Sequence, residues 1–177
     1  MLAWVSLMAP GVKPIWRVLA GVQAGVVAGG VMFLYLALDA RLRGTTVWSV
    51  INLFSSNFYG VPALGFGFRR TSIAGLAWHI GSSGLLGLCF SVLLAPLTSR
   101  PLRCSLLGAF LALAWYYVAI RWLWPLWNPL AQRQPFPGLL FAYLIFGVAL
   151  GIFPRLLAEL QDHGMEGQPD GSAGGVA

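Results

Sequence analysis

Between Arg17 and Asp39 lie 21 consecutive residues without a charge. Coiled as an α-helix at about 1.5 Å per residue, such a run reaches across the roughly 30 Å hydrocarbon core of a bilayer. Within it Gly21, Gly25 and Gly29 recur every fourth residue. In a helix they form one smooth ridge, along which a second helix can approach closely. This run therefore predicts a membrane span shaped to pack against another span.

The rest of the chain agrees with a lipid environment. Of 177 residues, 58% are hydrophobic and only 9% charged, against about 25% charged in soluble domains. With a mean hydropathy of +0.77, the chain has too little charge to cover a water-facing surface. Its length allows one bundle and no separate soluble domain. The formal charge of +6 is not a nucleic-acid signature, because the basic residues stand singly or in close pairs at the ends of apolar runs. There they meet lipid headgroups.

Four spans are expected, at about 18–38, 71–94, 105–123 and 137–157, forming an all-α transmembrane bundle over 1–160. Residues 1–15 read as an irregular lead-in and 161–177 as a disordered polar tail. Residues 44–68 carry no charge and are mixed in character. Val47, Val50, Ile51, Phe54 and Phe58 fall on one helical face, and Ser49, Asn52, Ser55 and Ser56 largely on the other. That pattern predicts an amphipathic helix between the first two spans, at the interface or against the bundle. Gly60, Pro62, Gly65 and Gly67 then interrupt regular structure. Small-residue faces recur on the later spans, with Gly84 on the second and Gly147 and Gly151 on the fourth. Trp115, Tyr116, Tyr117, Trp122, Trp124 and Trp127 form an aromatic girdle on the third.

Arg41, Arg43, Arg69 and Arg70 cluster at the expected span ends as headgroup contacts, and Asp39 is placed to pair with Arg43 four residues on. Five basic residues fall at the end shared by both termini and six at the other, so charge does not assign orientation. Ten of the eleven basic residues are Arg; with abundant Ala and Gly, this fits a GC-rich bacterial genome, and a bacterial plasma membrane is the expected location. Cys89 and Cys104 read as free thiols packed as small hydrophobes.

Chemistry is sparse. All five acids lie outside the expected spans, which disfavours an ion-coupled transporter. His79 is the one ionisable side chain clearly inside a span. The plain expectation is a histidine bonded to a hydroxyl, a carbonyl or water. A haem or quinone site is the sharper alternative, and haem would need a further ligand such as Met32. Gly81-Ser82-Ser83-Gly84 resembles the GxSG nucleophile motif of rhomboid intramembrane proteases. The resemblance covers four residues. In that family the serine works with a histidine on a different span of a six-span core, whereas His79 precedes Ser83 by one turn on the same helix of a four-span chain. The motif reads instead as small residues at a helix crossing.

No enzyme, cofactor or metal is expected from these residues. The expected role is an accessory or scaffolding subunit, or a homo-oligomer, packed through its glycine faces and surrounded by lipid. An oligomeric channel or small-solute permease is the alternative, and a redox subunit using His79 comes next.

Overall fold

The computed structural model describes residues 14–128 and 136–166, and every regular element among them is helical. The chain order is α1 (Pro14–Leu42), α2 (Val47–Tyr59), α3 (Arg70–Leu93), α4 (Pro101–Val118), α5 (Trp124–Trp127), α6 (Phe136–Ala149) and α7 (Phe153–Glu166). Four stretches are long and apolar enough to cross a membrane: Pro14–Leu42, Arg70–Leu97, Pro101–Trp127 and Pro137–His163.

Each of these outruns the expected span at one end or both, and two prolines account for part of the excess. Pro125 lacks the N–H of a regular helix, and its ring crowds the carbonyl four residues back. The helix answers by widening into a π turn over Ala119–Leu123 before α5 continues it. Pro154 is met in the same way by a tightened turn, Leu150–Ile152, between α6 and α7. Residues 161–166, expected in the polar tail, thus extend the last helix; the rest of that tail, like most of the lead-in, lies outside the described residues.

α1 is the central helix. Its buried positions Ala20, Ala24, Ala28, Met32, Leu36 and Ala40 recur every fourth residue. The adjacent row, Gly21, Gly25 and Gly29, lies against α3, which runs antiparallel to it. Gly21 meets Ser91 and Gly87, Gly25 meets Ser83 and Gly87, and Gly29 meets Ser83 and His79. The approach is backbone to backbone, since a Cβ added to Gly87 would lie 2.5 Å from the Gly25 Cα. α4 and α6 meet similarly, where a Cβ on Gly147 would fall 2.5 Å from the Ala109 Cα. Gly151 packs on Ser105, whose hydroxyl donates to the Val148 carbonyl at 2.9 Å. Gly84 also faces α1, but more loosely: an added Cβ would sit 3.5 Å from Val22 and 3.6 Å from Val26, which is ordinary contact.

The segment between α1 and α3 holds the expected short helix and, after it, the expected break at Gly60 to Gly67. At 13 residues, or about 20 Å, α2 is too short to cross a bilayer core. It runs alongside α3 in the same direction, as three successive contacts show. Trp48 meets Phe68 with ring centroids 5.1 Å apart, Ser72 bonds Asn52 at 2.5 Å, and Phe58 meets Trp78 at 5.5 Å. Residues 60–69 then lead back to the start of α3. Both faces of α2 are covered in its middle: Val50 and Ile51 are buried with Ser56, and Asn52 and Ser55 are fully buried, while Phe58 near its end is exposed. Of the two placements expected for this helix, at the interface or against the bundle, α2 takes the second among the described residues. The buried polar pair serves the irregular return segment, whose carbonyls have no helical partners. The Asn52 amide donates to the Gly65 and Gly67 carbonyls, both at 2.9 Å, and its oxygen accepts from Ser72. Ser55 donates to the Thr71 carbonyl at 2.8 Å.

Candidate functional site

At one end of the bundle the small residues of α1 give way to larger ones. Gly21 to Gly29 pinch α1 onto α3; beyond them Met32 and Leu36 hold the helices apart, and α2 enters the gap. A cavity of about 90 Å³ opens there, walled by α1, α2, α3, α6 and the π turn. At about 30 Å³ of liquid volume per water, it has room for roughly three water molecules. Met32, Phe54, Leu86 and Phe146 supply apolar wall; His79, Ser82, Ser83, Asn57, Asn128 and Tyr143 supply polar groups. No acidic residue, lysine or arginine lines it.

His79 is held on three sides. Its Nε2 lies 2.9 Å from the Gly29 carbonyl across the tight crossing. That carbonyl only accepts, so Nε2 carries the hydrogen, and a neutral ring so engaged keeps its lone pair at Nδ1. The Phe54 ring stacks on the imidazole at 5.0 Å and 6°. Phe33 lies against it at 5.8 Å, tilted by 48°. Among the described residues Nδ1 has no hydrogen-bond partner.

The far wall is tied by amides. Asn128, just beyond α5, donates to Asn57 Oδ1 at 2.7 Å and to the Ser56 hydroxyl at 2.9 Å. Trp127 packs edge-on against Trp78 at 5.5 Å. Ala119 and Leu123, from the two ends of the π turn, also line the cavity. Such turns often mark functional positions in helices.

The singled-out residues divide into three groups. Gly21, Gly25 and Gly29 meet α3 beside His79, whereas Gly147 and Gly151 serve a separate crossing and Gly84 is only an ordinary contact. Arg41, Arg43, Arg69 and Arg70 are exposed at the end of the bundle nearer the cavity. Two of them are already engaged: Arg43 pairs with Asp39 at 2.9 Å, and Arg69 donates to the Pro62 carbonyl at 3.0 Å. Cys89 and Cys104 are free thiols.

The protease-like motif has no dyad, since no hydrogen bond joins the His79 ring to Ser82 or Ser83. The bond between these residues runs from the Ser82 hydroxyl to the His79 carbonyl at 3.2 Å. Met32 does share the cavity with His79, but Nε2 is engaged with Gly29 and the space does not hold a macrocycle. Comparison with protein-family models, curated proteins and solved structures finds no match.

Sequence reasoning placed Asn52 on the polar face of the expected helix but missed Asn57 and Asn128. The chain has three asparagines, Asn52, Asn57 and Asn128, and all are used around α2. In so apolar a chain each amide is costly to bury unpaired, and that scarcity was the available signal.

Proposed function

We propose that this chain is a small multi-pass membrane protein whose interior cavity binds a small uncharged molecule without converting it. The observation that carries the reading is His79, fixed at Nε2 by Gly29 and unpartnered at Nδ1, in the wall of a cavity lined by no carboxylate, lysine or arginine. A molecule with one hydrogen-bond donor and an otherwise apolar body complements that wall. Catalysis has less support, because no nucleophile is bonded to a base there. The lipid bilayer is the proposed surrounding, with Arg41, Arg43, Arg69 and Arg70 at headgroup level. The predominance of Arg over Lys supports a bacterial source with a GC-rich genome, and the proposed membrane is then the plasma membrane.

Pyrrole and furan test the reading: both are five-atom rings, but only pyrrole donates a hydrogen bond. In detergent, pyrrole should stabilise the protein saturably, with an affinity about tenfold above that of furan. The nitrogen NMR signal of His79 Nδ1 should move with it. In His79→Leu the two rings should bind alike. Pyrrole binding that ignores His79, or no saturable binding of either ring, would sink the proposal.

A second reading, an accessory or self-associating subunit, draws on Gly30 and Gly81. An added Cβ at either meets nothing within 4 Å, so both leave small notches on the outer surface. Co-purification from mild detergent tests it, and a strictly monomeric, partnerless protein would count against it.

A further inference from the structure

We propose that Arg17 and the concavity beside it bind an anionic headgroup at the end of the bundle opposite the His79 cavity. Arg17 sits in the first turn of α1 and is only 8% exposed. It forms no ion pair among the described residues, and its Nη1 is buried without a hydrogen-bond partner among them. A buried guanidinium with open donors is costly.

Among the described residues the nearest acids are engaged or turned outward: Glu159 pairs with Arg155, and Asp162, next to Gln161 on α7, is exposed and does not line the concavity, while Asp39 pairs with Arg43 at the far end. Residues 1–13, which precede the helix, contain no acid. The helix itself adds to the imbalance. Its first turn has no acidic residue, so N–H groups that have no partner within the helix, and its positive dipole end, stand beside the Arg17 cation. A single anion answers both.

A place for that anion exists. Arg17 lines a concavity of about 540 Å³ between α1, the α3–α4 link and α7, and none of the lining residues is acidic. Thr98, Ser99 and Gln161 bring further donors, while Leu97 and Phe153 form apolar wall. The Thr98 hydroxyl oxygen accepts from the Arg100 N–H at 3.2 Å, which leaves its own hydrogen to donate. A guanidinium fork with hydroxyls beside it matches phosphate oxygens. The apolar wall suits an attached acyl chain. A lipid phosphodiester and free inorganic phosphate share this chemistry.

The test uses purified protein in neutral detergent with dioleoylphosphatidylglycerol, dioleoylphosphatidylcholine and inorganic phosphate as probes. Native mass spectrometry reads retention and thermal melting reads stabilisation. Phosphatidylglycerol should be retained over phosphatidylcholine. Retention should fall about ten- to a hundredfold in Arg17→Gln and stay near wild type in Arg100→Gln, which removes an equal charge at the same end. If phosphate alone stabilises in an Arg17-dependent way, the ligand is a free anion rather than a lipid. Where Arg17→Gln does not fold, Arg17→Lys replaces it, keeping the charge without the fork and retaining less than wild type. Equal retention of the two lipids by wild type with no effect of phosphate, or retention unaffected by Arg17 substitution, overturns the site.

Discussion

Glycine is required at position 87 and dispensable at position 84, three residues away on the same helix. A methyl group at 87 would meet the backbone of Gly21 and Gly25, which cannot yield without moving α1. At 84 it would rest on Val22 and Val26 at ordinary contact distance. Gly87→Ala should therefore destabilise the fold by about 1–3 kcal/mol, the usual cost of overpacking. Gly84→Ala should be neutral or slightly stabilising, because alanine is the better helix former by up to about 1 kcal/mol. Thermal melting in detergent checks the pair, and equal losses at the two positions would refute the packing argument. The four-residue spacing on α1 made its ridge legible in sequence. Which glycine of α3 opposes it was not, because Gly75, Gly81, Gly84 and Gly87 look alike until the crossing is known. His79 stood out as a lone titratable group, but its partner, a backbone carbonyl fifty residues away, leaves no mark in a sequence.

Among the elements, α2 was the one whose helical period was plain and whose contacts were not. Apolar and polar residues alternate on it as expected, and both Val50 and Ile51 and the polar Asn52 and Ser55 are buried, the polar pair by the demands of residues 60–69. Their carbonyls need donors, and Asn52 supplies two. Asn52→Leu preserves size and removes both, leaving the Gly65 and Gly67 carbonyls unpaired. At about 1–3 kcal/mol for each of the two stranded groups, the loss should be about 2–6 kcal/mol. It should also be local, so protease cleavage within residues 60–69 should rise well before the whole bundle melts. Wild-type resistance to cleavage in Asn52→Leu would show that packing, not the amide, holds this segment. The widened turn before Pro125 had a sequence cause as well. Proline announces that a helix must break or deform, but which of the two happens depends on what holds the far side. Here Asn128 and Trp127 are held by α2 and Trp78, and the helix deforms.

Taken as a whole, the molecule is pinched where glycine and alanine line α1 and splayed where Met32 and Leu36 replace them, which decides the end at which a cavity opens. A second, larger concavity of about 610 Å³ lies beyond the first, beside the Asp39–Arg43 pair, and shares Leu36 and Leu53 with it. These two leucines are the partition between the interior and the end carrying Arg41, Arg43, Arg69 and Arg70. Hydropathy foretold the four long helices, but not this asymmetry, which depends on residue size at matched depths on helices far apart in sequence. If the chain crosses a bilayer, the interior should communicate with one side alone. In a background of Cys89→Ala and Cys104→Ala, Leu53→Cys in sealed vesicles should react with a membrane-impermeant thiol reagent only from the side that labels Arg43→Cys. Its reaction should be slower than that of Arg43→Cys, because Leu53 is half-buried, and reagent on the side that labels Arg100→Cys should leave it untouched. Labelling from both sides would turn the cavity into part of a through-passage and favour the permease reading. Labelling from the Arg100 side alone would mean that the glycine-lined half, not the half that admits α2, is where the bundle opens.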